Sequence, residues 1–323
     1  MINFRFHIVS LIAVFLALGI GIIMGTAVID RAVVDRLDRQ QSSLQRSIDS
    51  VRSTNSRLEQ ELKDEQTAAN KLADEGSQRL LNGTLAGTPI LIVGARGAEA
   101  NGLNDLVNLI GRADADYRGT LWLTNRFVLD KPDEVRDLAE ALNEPGTTAP
   151  ASLRTDALNR LALALRPMSA TATLQLAPDS VITNLRAAGF LDYTPAPGGK
   201  ADEFPTLDPH TRIVVVSGVK ASVPDNVLML PFVQTLVSST AERDPVGVLA
   251  ASGQPPANRK DDTFIGPLRG DRSLTGRLST VDDIDDFAGR LAAVIALADL
   301  GQGRFGDFGR GQGAQRLLPA PAS

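Results

Sequence analysis

The 323-residue chain contains no cysteine, two histidines and few aromatic residues. The missing thiols exclude disulfides, a cysteine nucleophile and thiolate-ligated metal sites, and they fit either side of a bacterial membrane. His7 and His210 stand far apart, and neither accompanies a nucleophile in a recognisable motif. A hydrolytic centre therefore has no visible carrier, and His210, beside Pro209, reads as a solvated loop residue. Beyond the initiator, Met24, Met168 and Met229 do not cluster, so no thioether relay for a soft metal is present either. With a net charge of -5 and no stretch of Lys and Arg alternating with aromatics, nucleic acid is excluded as a partner. No Gly-x-x-x-x-Gly-Lys-Ser/Thr loop occurs. Gly94-Ala95-Arg96-Gly97 lacks the third glycine of the dinucleotide fingerprint, and Asn125-Arg126 stands where its acid would follow the second strand, so this segment reads as a tight turn. No cofactor and no enzymatic activity are expected.

What the chain does have begins at its amino terminus. After a short tail, residues 1–7, the 22 residues from Ile8 to Ile29 carry no charge and would cover roughly 33 Å as a helix, enough for a bilayer core. The run exceeds the apolar core of a signal peptide and leads straight into a polar helical pattern, so it reads as an uncleaved anchor. Residues 32–75 follow a heptad rhythm with Val34, Gln41, Ile48, Asn55, Leu62 and Ala69 at a sites and Leu37, Leu44, Val51, Leu58, Glu65 and Leu72 at d sites. About five and a half heptads predict a coiled-coil stalk, paired with a copy of itself or with a partner's helix. Asn55 at an a site would fix register across a parallel dimer. Ala13, Ala17, Gly21 and Gly25 recur every four residues and give the span a face small enough for close helix packing. Arg31, Arg36 and Arg39 after the span outnumber Arg5 and the amino terminus before it, so a bare count favours the stalk inside; Asp30, Asp35 and Asp38 neutralise them, though acids count for little, and charge leaves the orientation open.

Residues 88–300 predict an α/β domain with a Rossmann-like, three-layer arrangement around a mostly parallel sheet of four or five strands. The strands are expected at Ile90–Val93, Thr120–Thr124, Arg212–Ser217 and Pro245–Ala251, with Leu278–Val281 at an edge. Helices are expected at Ala98–Arg112, Pro132–Asn143, Ser152–Leu165, Asp179–Ala188, around Phe232–Ser239, and at Asp286–Leu300. Pro195–Pro209 and Gly253–Arg272 read as exposed and irregular. The last stretch, 301–323, is rich in Gly and Pro and is expected to be a flexible tail.

The densest polar cluster is Asp282, Asp283, Asp285 and Asp286. Four neighbouring carboxylates could hold a hard cation through oxygen, or two of them could cap the final helix while the others face water.

Both ends of the chain carry a resemblance. Asn3-Phe4-Arg5-Phe6-His7-Ile8-Val9-Ser10-Leu11 with the apolar run behind it, the heptad stalk, and Ser279-Thr280-Val281-Asp282-Asp283-Ile284-Asp285 leading to Gly289-Arg290 and a Gly-rich tail resemble the mycobacterial copper transport protein B family of actinobacteria. The resemblance implies a cell-envelope protein with its main domain outside the cytoplasmic membrane and a role in copper export or resistance, sometimes described as an outer-membrane channel. The expected partners are the membrane, a second copy or a helical partner, and copper ions as cargo. A single apolar helix cannot conduct an ion, so the path would lie in an oligomer or a partner. The residue chemistry supports a rival role, a non-enzymatic coiled-coil scaffold or regulator of envelope or division machinery.

Overall fold

The computed structural model describes residues 4–98, 101–166, 178–208, 210–218, 221–238, 247–253 and 262–320. Two compact units emerge, Met1–Lys71 and Leu72–Ser323. Helix α1 runs from Phe4 to Leu81, so it starts within the segment expected as a tail and passes beyond the expected end of the stalk. Its continuity follows from the absence of Pro and Gly between Thr26 and Glu75.

In the first unit, Phe6–Gly25 is long and apolar enough to cross a membrane, and none of it is buried by protein. Gly21 and Gly25 have open space around them. Leu37, Leu44, Ile48, Val51, Leu58 and Leu62 are 45–61% exposed, and Asn55 is exposed beside them. The polar faces carry local contacts such as Arg57 to Glu61 at 3.6 Å.

The second unit is built on a seven-stranded sheet in the order β3-β2-β1-β4-β5-β6-β7. The strands are β1 Pro89–Ala95, β2 Asp116–Leu123, β3 Leu191–Thr194, β4 Arg212–Val216, β5 Val248–Ala251, β6 Ser279–Val281 and β7 Asp307–Phe308. Only the β2–β3 pair is antiparallel. The central strands are near-continuous apolar runs, Arg212 at the start of β4 apart, because both faces are covered. Leu91, Val93, Ile213, Val215, Val248 and Ala250 enter one core. Their alternates Ile90, Ile92, Val214, Val216, Leu249 and Ala251 enter the other. Helices α3 Pro132–Leu142, α4 Pro150–Ala164, α5 Pro178–Ala187, α6 Met229–Ser238 and α7 Ile265–Gly270 lie on the first side. Helices α2 Asn101–Arg112 and α8 Phe287–Leu300 lie on the second, where Leu81 and Leu85 are also buried. Each large aliphatic side chain so buried contributes roughly 1.5–3 kcal/mol.

The sheet is larger than the four or five strands expected. Strand β3 is the antiparallel edge, and β6, expected at an edge, has β5 on one side and β7 on the other. The Gly-rich segment expected as a flexible tail supplies β7, and its own outer side is met by Arg316 through a bridge to Phe308. Within Gly253–Arg272, residues 254–261 lie outside the described residues, but 265–270 form α7.

Candidate functional site

The parallel strands end together at one edge of the sheet, and the acidic motif leaves β6 there. Asp282 is buried, and its Oδ2 meets Nη1 of Arg269 at 2.7 Å. The backbone N–H of Arg310 donates to Oδ1 at 2.7 Å and that of Gly311 to Oδ2 at 3.0 Å. Arg269, which comes from α7, spends its other donors on Thr280 Oγ1 at 2.8 Å, Phe308 O at 2.7 Å and Gln312 O at 3.1 Å. A charge this far from water must be paired and hydrogen-bonded, and both groups are. The chain from Gly306 to Gly313 therefore wraps an ion pair. A Cβ at Gly311 would come within 2.7 Å of Asp282 Oδ2, and one at Gly309, where φ is +125°, would fall inside the same carboxylate.

Asp283 takes a left-handed backbone conformation, φ 68°, which Asp tolerates better than most residues. Its N–H donates to Gly253 O at 3.0 Å. The carboxyl is buried and lies 3.3 Å from Nη1 of Arg310. Burial, then the charge of Asp286, push its pKa up to about 6; Arg310 opposes this, and Asp282 and Asp285 add to it. Asp285 accepts from the N–H of Gly102 at 3.2 Å, so it complements the first turn of α2 rather than the final helix. Asp286 is the N-cap residue of α8 without a side-chain cap bond, and it pairs instead with Arg310 at 2.7 Å. Arg290 closes the motif from α8, donating to Ile284 O at 3.0 Å and Asp285 O at 2.7 Å.

The four aspartates thus point to different partners. Among the described residues no three His, Cys, Asp or Glu side chains are arranged to hold a metal ion. The expectation of a hard-cation site at Asp282, Asp283, Asp285 and Asp286 gains no support from this geometry. Both oxygens of Asp282 and one oxygen each of Asp283, Asp285 and Asp286 meet arginines or backbone amides.

The loop after β1 packs against its own sheet. A Cβ at Gly94 would come within 2.6 Å of the Trp122 ring, and Arg96 stacks over the same ring at 4.8 Å while pairing with Asp192. Gly97 turns the chain at φ 87°. At the amino end of α2, where a dinucleotide phosphate would sit, Asp285 already accepts a first-turn amide.

A second group at this edge had no signal in the sequence. Strand order reverses between β1 and β4, and in open α/β sheets the crevice beyond that point is where ligands bind. Ser222 of the loop after β4 donates its N–H to Arg96 O at 2.7 Å, joining the two loops. Beside them Asp225 is only 2% exposed. It accepts from the Ser217 hydroxyl and, at 2.6 Å, from that of Thr263. Burial raises its pKa against those two hydrogen bonds, and Asp262 raises it further. Ser217, Asp225 and Thr263 come from three segments, so no local pattern announces them. His210, by contrast, lies exposed in a turn before β4.

Comparison with known proteins agrees over the whole chain. A family model described as copper transport outer membrane protein, MctB, matches residues 1–319. Proteins named copper transporter MctB from Mycobacterium tuberculosis and Mycobacterium bovis are 28% identical to it over 330 residues, covering 98% of this chain and 99% of theirs. One of the same name from Mycobacterium leprae is 24% identical over the same shares.

Proposed function

The chain belongs to the MctB family of copper transport outer membrane proteins, and from that premise we propose that it is a single-pass envelope protein acting in copper homeostasis, with its α/β domain outside the cytoplasmic membrane. The match across residues 1–319 is the observation that carries the copper role. Phe6–Gly25 supports the anchor. The protein's own residues argue against direct ligation of copper(I), which needs converging thiolate, thioether or imidazole groups. Its contribution is therefore to assemble or regulate a conducting partner, or to form one as an oligomer, since a lone helix encloses no path. The chain is read as non-enzymatic: the Ser217–Asp225 pair is buried, as are Asp282 and Asp283 of the motif. The six exposed heptad residues of α1 favour a coiled-coil stalk and, as a second reading, a scaffold for envelope or division machinery.

Two measurements test this. In a deletion strain, the copper role predicts raised cell copper that the restored gene reverses, and the scaffold role predicts altered shape or septation with copper unchanged. Orientation is tested with Lys200→Cys in the otherwise thiol-free chain. A membrane-impermeant maleimide should label whole cells, and labelling confined to lysed cells would contradict the proposed side.

A further inference from the structure

The pair Asn-Gly occurs twice, at Asn82-Gly83 and at Asn101-Gly102. In such a pair the glycine has no Cβ to keep its amide nitrogen away from the asparagine side chain, so that nitrogen can attack the side-chain carbonyl carbon. The fold treats the two pairs differently. Asn82 stands just beyond Leu81, the last helical residue of α1, in a run of turns, and both Asn82 and Gly83 are exposed. Gly83 has a left-handed backbone, φ 72°, with open space around it. Asn101 begins α2, Gly102 behind it is buried, and a Cβ on Gly102 would fall on the Ile284 carbonyl. Each glycine N–H donates to a carboxylate, Gly83 to Asp114 at 2.9 Å and Gly102 to Asp285 at 3.2 Å. That contact is matched, so the helix and its packing are what separate the pairs. Closing a ring between the glycine nitrogen and the asparagine side chain turns the peptide out of helical geometry, which a packed first turn resists and an exposed turn permits.

We propose that Asn82 is a site of spontaneous deamidation, which ages the turn that follows α1. The Gly83 nitrogen bonds to Cγ of Asn82 as its proton passes to solvent, the Cγ–Nδ2 bond breaks, and ammonia leaves. Water then opens the cyclic imide at either carbonyl. One opening gives aspartate at 82; the other routes the chain through Cβ and Cγ as an isoaspartyl link, with an extra backbone carbon. Either product adds a negative charge. The location makes the change felt. Leu81 and Leu85 on either side are buried, and the N–H groups of Leu85 and Gly87 donate to Ala113 O at 2.9 Å and Asp114 O at 3.0 Å. An added backbone carbon between the leucines shifts that register. A carboxylate at 82 also stands next to the amide that the Asp114 carboxylate holds, and like charges there weaken the turn.

The test ages full-length protein in lipid nanodiscs at mildly alkaline pH and follows both pairs by mass spectrometry, with electron-transfer fragmentation to separate aspartyl from isoaspartyl products. Trypsin places the pairs on different peptides, 80–96 and 97–112. In the folded protein Asn82 should convert about tenfold or more faster than Asn101, since reaction at 101 waits on local opening of α2. In denaturant the two rates should converge. Asn82→Gln, whose longer side chain would have to close a larger ring, should stop the change at 82. The amides of Leu85 and Gly87 should lose hydrogen-exchange protection as the parent protein ages and keep it in Asn82→Gln. No conversion at 82, conversion at 101 as fast as at 82 in the folded protein, a rate difference that persists in denaturant, or unchanged protection in the aged parent would each overturn the proposal.

Discussion

Arg269 and Asp282 meet at 2.7 Å with side chains 4% and 3% exposed, and the last turns of the chain close over them. The pair accounts for two sequence features at once. Asp282 belongs to the run that most specifically marks the family resemblance, and Gly309, Gly311 and Gly313 are small because this pair occupies the space their side chains would need. The motif builds a closure between β6, α7 and β7.

Removing one member of such a pair leaves the other charge buried and alone, which costs about 3–5 kcal/mol. Asp282→Ala is expected to lower the domain's unfolding free energy by that amount in denaturant titration, with loss of hydrogen-exchange protection at the amides of Arg310 and Gly311. Asp286→Ala, which removes a pairing of half-exposed side chains, should cost under about 1 kcal/mol. Equal effects of the two would show that Asp282 is not the structural centre of the motif.

The glycines offer an independent check. Gly303 and Gly309 both have positive φ, 68° and 125°, but only Gly309 faces the carboxylate of Asp282, whereas Gly303 has open space. Gly303→Ala should cost roughly 1 kcal/mol for its backbone alone. Gly309→Ala adds a clash with a buried charge and should cost clearly more, in the range of about 2–4 kcal/mol. A smaller loss at 309 than at 303, read from thermal unfolding of both variants, would contradict the close wrap.

Asp283 sets a pH dependence of definite sign. Its pKa of about 6 in the folded protein lies above the ordinary carboxylate value, so the folded state holds this proton more tightly than the unfolded chain. The resulting stability is present below about pH 4 and is lost as pH rises through about 6. Asp283→Asn keeps a residue suited to positive φ and removes the charge, so at pH 7.5 the variant should exceed the parent by roughly 2–3 kcal/mol. At pH 4 the difference should vanish. Unfolding curves across this range decide it, and a difference that does not change with pH would remove Asp283 as its source.

The stalk reading is tested through α1. Leu44, Ile48 and Leu58 are half-exposed or more in a single chain, and pairing would bury each for roughly 1.5–3 kcal/mol. Replacing all three by glutamate should convert an oligomeric full-length protein into a monomer by light scattering in detergent. An unchanged mass would rule out pairing through these sites.

The sequence was legible where burial was two-sided and local. Ile90–Val93 and, within Arg212–Ser217, Ile213–Val216 announce β1 and β4 as apolar runs, because the middles of parallel strands covered on both faces are apolar. Strand β3 was hidden because Leu191–Thr194 alternates buried and exposed over only four residues. Strand β7 was hidden because two residues carry no pattern: backbone bonds such as Thr280 N to Gly306 O and Asp282 N to Phe308 O hold that stretch in place. Composition alone makes the tail glycines look like freedom, because it cannot show that Asp282 and Arg269 lie beneath Gly309, Gly311 and Gly313. The aspartate cluster is visible in the sequence, but its partners Arg269, Gly102 and Arg310 are not, because they lie outside the local pattern. Asp225 needed three separate segments to become visible.

The most direct test of the whole account asks whether the protein itself holds copper. With no cysteine, two distant histidines and unclustered methionines, and with the motif aspartates engaged by arginine and backbone amides, full-length protein should fail to draw copper(I) from a chelator of known affinity. The chelator's spectrum should stay unchanged as the protein is titrated in under reducing conditions. Stoichiometric loss of the copper–chelator complex would contradict this and place the copper function in ligands gathered by the chain or its oligomer.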